Sequence, residues 1–248
     1  MISNIDGDSI LMTALFAGKN DFLSTVEVCD YYIYKIKDRC GEDVRVFIEG
    51  TGNFRKKVAT IEKYKGNRTS EKPRYFKDIR EYLVNFHNAE VVNGMETDDM
   101  LGILQTEDTV QVTNDKDARQ IRGYIYDFKK DNLFYVEELD GITWFFTQMC
   151  IGDKSDNIPA LKNPYKAFTK KGEPAKNPPN FTELTTEPLL KDKTPQEQLE
   201  TVVDLFKKQY GQGWFKAFDE IATLLWIRRK DAITYKDCNL FNVELVKG

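Results

Sequence analysis

One histidine, His87, stands in the 248 residues, and that scarcity removes several chemistries at once. A zinc centre built from His and Cys has too few donors, and a nucleophile–His–acid triad has a single candidate base. His87 lies in YLVNFHN, near the end of a helical pattern, where a structural or capping role suits it. Cysteine is also sparse: Cys29, Cys40, Cys150 and Cys238 form no CxxC pair. Cys29 and Cys40 fall on one helical pattern about 16 Å apart by helical rise, too far for a disulfide. A reducing cytoplasm is therefore expected. No apolar run reaches the roughly 18 residues that span a bilayer, and the N-terminus lacks a basic-then-apolar signal pattern, so no membrane association is expected. Hydrolytic chemistry in such a chain falls to carboxylates and hard metal ions.

Apolar residues make up 41% of the chain and aromatics 12%, enough for a sizeable core and for one large domain or one domain with an appendage. The net charge of −4 argues at face value against a polyanionic partner. Its distribution argues the other way. Between Arg55 and Arg74 lie eight basic residues against two acids, with Gly66 and Asn67 interrupting the helical pattern. A local basic segment can steer a polyanion while the molecule as a whole stays acidic, although a solvated charged face is the competing explanation.

The first half alternates between strand-like and helix-like segments. Ile2 and Ile5 lead to Asp6, and a helical pattern covers Phe22 to Cys40. VRVFI ends at Glu49, PRYFKDIREYLVNF is helical with proline near its first turn, and EVV leads into GMETDD. VQVT ends at Asn114 to Asp117, YIYDF and LFYVEEL read as short strands, and GITWFFTQMCI reads as a buried helix ending at GDKSDN. This alternation predicts an α/β fold, a mostly parallel central sheet with helices on both faces, followed by a mainly helical C-terminal region. From Lys162 to about Pro195 lysine, proline and glycine accumulate without periodicity, which predicts a long loop or irregular subdomain. Two helical segments follow, near Gln196 to Gln209 and Trp214 to Arg229. The expected division is residues 1–160 as a catalytic domain and 161–248 as a lysine- and proline-rich loop with helices.

Five separate segments place acids at or just past predicted strand or helix ends: Asp6 with Asp8, Glu49, the Glu96/Asp98/Asp99 group, Asp115 with Asp117, and Asp153 with Asp156. Ligands of open parallel sheets bind outside the carboxyl ends of the strands. An acid in a first helical turn gains roughly 0.3–1 kcal/mol from the helix dipole. Two carboxylates about 5 Å apart repel by about 3 kcal/mol at an effective dielectric near 20. If the five segments converge, divalent cations are the natural remedy, and oxygen-only ligands favour Mg²⁺ or Mn²⁺. Glu96, Asp98 and Asp99 can approach one site only if Glu96 sits in the turn before the helix, and that arrangement is expected.

In order along the chain, IDGDSI, FIEGTGNFRKKVATIEKYKGNR, GMETDDMLGI, VTNDKD and IGDKSDNIPA resemble the motifs of the 5′-nuclease superfamily, with a weaker match at LLWIRR. The superfamily includes flap endonucleases and the 5′-nuclease domain of bacterial DNA polymerase I, and the closest likeness is to short bacteriophage 5′→3′ exonucleases. The resemblance implies a phosphodiesterase using two Mg²⁺ or Mn²⁺ ions. Carried over position by position, Asp6, Glu49, Glu96, Asp98 and Asp99 would serve the first metal, and Asp115, Asp117, Asp153 and Asp156 the second. Glu49 stands where the family usually has aspartate, and Asp8 is a nearby outer-shell candidate. Lys65 and Arg68 match the basic residues that contact the scissile phosphate. Arg55 and Lys56 would grip the neighbouring backbone, and Phe54 or Tyr64 would stack on a frayed base or pack in the core.

Two departures shape the expectation. The glycine-rich helix-hairpin-helix of many relatives is replaced by ALKNPYKAFTKKGEP, whose Lys162, Lys166, Lys170 and Lys171, with Lys176 beyond, would contact duplex DNA electrostatically or lie in a plain loop. The segment between Arg68 and the Pro73 helix is too short for a long threading arch, which favours an exonuclease acting on duplex 5′ ends over a strict flap cutter; a monomer is expected. A flap endonuclease and a ribonuclease H removing RNA primers from RNA–DNA hybrids are the alternatives within the family. Single-stranded-DNA-binding or replication proteins are the expected protein partners. A haloacid-dehalogenase-type phosphatase, with Asp6 as nucleophile and Asp8 as acid/base, is the rival outside it. That rival leaves GMETDD, NDKD and YKGNR without a role.

Overall fold

The computed structural model describes residues 1–166 and 178–246, so Lys170, Lys171 and Lys176 lie outside the described residues. The strands are β1 (Ile2–Asp6), β2 (Val44–Glu49), β3 (Glu90–Val92), β4 (Thr109–Val112), β5 (Gly123–Asp127) and β6 (Asn132–Val136). The helices are α1 (Gly7–Ala17), α2 (Phe22–Cys40), α3 (Arg55–Val58), α4 (Phe76–Phe86), α5 (Thr97–Leu104), α6 (Glu138–Ile151), α7 (Glu183–Leu190), α8 (Pro195–Tyr210) and α9 (Trp214–Leu225). The chain forms two interleaved compact units: Met1–Phe54 with Ser70–Gly141 and Ile227–Ile233, and Arg55–Thr69 with Ile142–Trp226 and Thr234–Gly248. Among the described residues no helix is long and apolar enough to cross a membrane.

The first unit holds a six-stranded sheet in the order β3-β2-β1-β4-β5-β6. Every pairing is parallel except β5 with β6. The exception follows from the connection. Asp127 accepts the backbone N–H groups of Lys129 and Lys130, and Asp131 adopts a left-handed φ of 52°, closing a tight turn that permits only an antiparallel return. Ile5, Val46, Ile48, Val110 and Val112 face one side, where they form a core with Ile10, Leu11 and Ala14 of α1, Cys29, Ile33 and Ile36 of α2, and Ile79 and Leu83 of α4. Strand alternation turns Asn4, Phe47 and Gln111 to the other side. The expected mostly parallel α/β sheet is thus observed.

Glycine matters where α1 begins. A Cβ on Gly7 would lie 2.6 Å from the Phe47 carbonyl oxygen, so the IDGD sequence lets α1 start hard against β2. The helix itself was not expected from the sequence, because its apolar residues run on almost without polar interruption.

The second unit is helical. Phe145 stacks edge-on against Trp226, and Phe206, Phe218 and Tyr235 make a chain of edge contacts. Gln198 ties the start of α8 to Thr143 and to the carbonyls of Leu190 and Lys193. Two expectations need correcting here. The stretch before Pro195 contains a helix, α7, which Pro188 and two threonines hid by breaking the apolar period. The last helix stops at Leu225, four residues before Arg229, with Trp226 extended at φ −65° and ψ 123°. Arg55 explains that end: its Nε donates to the Leu224 carbonyl and its Nη2 to the Trp226 carbonyl, each at 2.8 Å. A cationic fork on terminal carbonyls both satisfies them and complements the helix dipole.

Candidate active site

Asp6 ends β1 and caps α1, accepting the Ser9 backbone N–H at 3.1 Å and the Ser9 hydroxyl. The Thr113 hydroxyl, just past β4, donates to Asp6 Oδ2 at 2.9 Å and also accepts the Asp115 N–H at 3.1 Å. Asp8, two residues on, receives the Glu49 N–H at 2.6 Å and the Thr97 hydroxyl at 2.9 Å on Oδ2, while Arg80 approaches Oδ1 at 3.8 Å. One carboxylate thereby fastens the end of β2 to the start of α5. Asp8 is a positioning residue, and Asp8→Ala should cost about 2–3 kcal/mol by orphaning a backbone donor. Asp8→Asn, which keeps an acceptor, should cost less. Urea denaturation measures both; an Asp8→Ala loss under about 0.5 kcal/mol would contradict this role.

The GMETDD segment divides its three acids by function. Glu96 is the N-cap of α5 with extended φ and ψ of −84° and 162°, as expected for a residue in the turn. Its Oε1 receives Asn53 Nδ2 at 2.8 Å, and Asn53 also reaches Glu49 Oε1 at 3.4 Å. Asn53 is 3% exposed and was not foreseen as a site residue. The only signal for it was its place in the turn after a strand-end acid. Asp99 is wholly buried, with Oδ2 on the Glu96 N–H at 3.1 Å and Oδ1 on the Arg228 N–H at 3.1 Å. Those bonds complete the capping box that Glu96 heads as N-cap of α5, with a backbone donor on each Asp99 oxygen.

Asp98 carries the electrostatic load. Its side chain is partly exposed overall, but Oδ1 is sealed from solvent and meets no hydrogen-bond donor among the described residues. Burial first, and then the charges of Asp6, Asp115, Glu96 and Asp117, hold its carboxyl well above the usual range. Asp6 is pushed up to about 6 by burial and then by Asp8, against the opposing bonds from Ser9 and Thr113. Asp115 is exposed and accepts the Asp117 N–H at 3.0 Å.

Several of these carboxylates are thus turned onto local donors, and among the described residues no three His, Cys, Asp or Glu side chains stand ready to hold a metal ion. The donor set nevertheless suits hard divalent cations, being all oxygen, with a buried carboxylate oxygen that no donor among the described residues satisfies.

In the second unit, Asp153 uses Oδ1 to receive Ser155 N, Ser155 Oγ and Asp156 N at 2.6, 2.7 and 3.1 Å, which shapes the GDKSDN loop. Gly152 starts that loop at φ 63°, where a Cβ would lie 2.5 Å from the Ile158 carbonyl. Asp156 Oδ1 receives Arg68 Nη2 at 2.6 Å, with Lys65 Nζ at 3.9 Å. The basic segment is anchored at its other end by Glu220, which accepts Thr60 N and Ile61 N at 2.6 and 2.7 Å and the Thr60 hydroxyl. Arg55 is only 2% exposed and bound to α9, so its expected grip on a nucleic-acid backbone is withdrawn. Tyr64 is 4% exposed and offers no platform for a base. Phe54 lies under the Arg228 guanidinium at 4.0 Å. Lys56, Lys162 and Lys166 are exposed. His87 is the C-cap of α4, its Nε2 2.7 Å from Asp30 Oδ1, in the structural role expected of it.

No protein-family model and no curated protein matches the chain. Among solved structures, the flap endonuclease of bacteriophage T5, in a pseudo-enzyme–product complex with DNA and metal ions, aligns with a TM-score of 0.53 at 14% identity, over 90% of this chain and 98% of that one. A T5 protein co-crystallised with metal ions aligns with a TM-score of 0.54 at 14% identity, over 91% and 99%. The chain therefore has the fold of the phage T5 5′-nucleases.

Proposed function

We propose that the chain is a divalent-metal-dependent 5′→3′ exonuclease that hydrolyses phosphodiester bonds at the 5′ ends of duplex DNA, releasing 5′-phosphorylated products. The observation that carries the reading is Asp98 Oδ1, a buried oxygen without a donor among the described residues, whose carboxyl is raised by burial and then by four other carboxylates. A fold shared with structures whose DNA and metal ions are named supports it.

The cations, two Mg²⁺ or Mn²⁺, would activate a water and stabilise charge on the attacking and leaving oxygens. Asp6, Glu49, Glu96, Asp98, Asp99, Asp115 and Asp117 of the first unit, and Asp153 and Asp156 of the second, are the residues proposed as metal ligands. Asp8, Asn53 and Thr113 orient carboxylates of the first unit, each through the bonds given above. Lys65 and Arg68 are proposed to hold the scissile phosphate, with Lys56, Lys162 and Lys166 screening the backbone beyond it. Seven residues, 69–75, separate Arg68 from α4, too few for a threading arch and consistent with an exonuclease on duplex ends. A phage replication or recombination setting, with replication proteins as partners, goes with this substrate.

Digestion of 5′-labelled duplex DNA, RNA–DNA hybrid and flap substrates tests the reading. With Mg²⁺ the duplex should shorten from its 5′ end, and EDTA should abolish the reaction. Preference for the hybrid or the flap would move the assignment to a ribonuclease H or a flap endonuclease. Undiminished cleavage in EDTA, or no 5′ product from any substrate, would refute it.

A further inference from the structure

Within the second unit, one carboxylate sits where three cationic or phenolic donors converge. Asp156 Oδ2 receives the Tyr64 hydroxyl at 2.5 Å, and Oδ1 receives Arg68 Nη2 at 2.6 Å with Lys65 Nζ at 3.9 Å. The two loops are joined without help from that carboxylate. Lys65 N donates to the Asp156 carbonyl at 2.8 Å, Arg68 Nε to the Ser155 carbonyl at 3.1 Å, and Asn157 Nδ2 to the Lys63 carbonyl at 3.1 Å. The donors would therefore keep their places if the Asp156 side chain turned away. A guanidinium, an ammonium and a phenol around one anion also form a set suited to the oxygens of a phosphate group.

We propose that the Asp156 carboxylate is a resident stand-in for phosphate: a phosphate of the nucleic acid exchanges with it on Lys65 and Arg68, and Tyr64 is the third donor to that phosphate. The proposal deepens the nuclease reading and rests on it. The ion pair is replaceable because Arg68 keeps about half of its side chain in water (53% exposed), and exposed pairs bind weakly. The exchange trades one anion for another, so no cation is left unpaired at either stage. Displaced from the donors, Asp156 is released to serve as a cation ligand. By linkage, phosphate binding at the loop and cation binding at Asp156 then favour one another.

The test is equilibrium binding of a fluorescein-labelled duplex by anisotropy in EDTA, where no cleavage occurs. Asp156→Asn should bind about three- to tenfold more tightly than the unaltered chain, since the resident anion is gone. Glu62→Gln removes the same charge from an exposed position in the same segment and should change affinity less than about twofold. In the Asp156→Asn background, Tyr64→Phe should weaken binding by about threefold, as one neutral hydrogen bond to the phosphate is lost. Asp156→Ser, checked with its own melting curve, serves in its place if the Asn variant fails to fold. Asp156→Asn binding no tighter than Glu62→Gln, or Tyr64→Phe without effect in that background, overturns the proposal. An unaltered chain that binds the duplex while Asp156→Asn changes nothing sinks the exchange alone. A folded chain that binds no duplex at all removes the nuclease reading with it.

Discussion

Replacing Asp98 by Asn should lower cleavage by about a thousandfold, roughly 4 kcal/mol of transition-state stabilisation, while raising the melting temperature of the chelator-treated protein. The two effects share a cause. Asp98 Oδ1 is buried without a donor among the described residues, and its carboxyl is held well above the usual range by burial and by Asp6, Asp115, Glu96 and Asp117. The native fold thus holds a carboxyl whose ionised form is costly without a cation and useful with one. Asn keeps the shape, removes the charge and brings an amide that can donate to the neighbouring carboxylates. A relief of about 1–2 kcal/mol should raise the melting temperature by about 2–8 °C for a chain of this size.

The pH dependence has a defined sign. Asp6 titrates near 3.8 in the unfolded chain and at about 6 in the folded one, so between those values the native state binds more protons than the unfolded state. Stability without metal should therefore fall as pH rises from about 4 through about 6, and Asp98, shifted in the same direction, should extend the decline. Asp98→Asn should flatten the curve. Scanning fluorimetry in EDTA from pH 4 to 8 with single-turnover cleavage reads out both effects; a flat profile for the unaltered chain and no gain in the variant would remove the electrostatic account.

Much of the acidic site was legible because its residues obey a local rule: Asp6 and Glu49 end strands, and Asp115 follows one within three residues. The role of Glu96 followed from helix geometry, since acids at spacing two cannot share a face unless one precedes the helix. What the sequence could not reveal depends on contacts across long separations. Asp99 and Asp98 look alike in the sequence, and only the Arg228 N–H on Asp99 Oδ1, distant in the chain, tells their settings apart. Arg55 looks like part of a basic patch until it is found capping α9. Asn53 and Thr113 lie inside quoted motifs, yet neither they nor Glu220 is singled out by the pattern, because their roles lie in which oxygen or N–H they face. The sheet order was hidden for the same reason, whereas the parallel sense of its strands followed from the helices between them.

Lys65→Ala should reduce the single-turnover rate by about a hundredfold, the usual cost of deleting one fixed donor to charge that develops in a transition state. The expectation joins the role proposed for Lys65 to its observed setting. Lys65 is held by a backbone bond to Asp156, and its ammonium lies 5.2 Å from the centre of the buried Tyr64 ring, so the charge is fixed before substrate arrives. Preorganisation of that kind acts on rate more than on affinity, so duplex binding in EDTA should weaken only about two- to threefold. The backbone supplies the control. Lys65 has a left-handed φ of 54°, which costs a side chain about 1 kcal/mol or more and costs glycine nothing. Lys65→Gly therefore removes the charge while relieving strain, and Lys65→Ala removes the charge and keeps the strain. If the ammonium is what matters, both variants lose rate alike and Lys65→Gly loses no stability for want of a favourable φ. Recovery of the rate in Lys65→Gly alone would trace the defect to loop distortion, and rates within about threefold of the unaltered chain in both would remove Lys65 from the reaction.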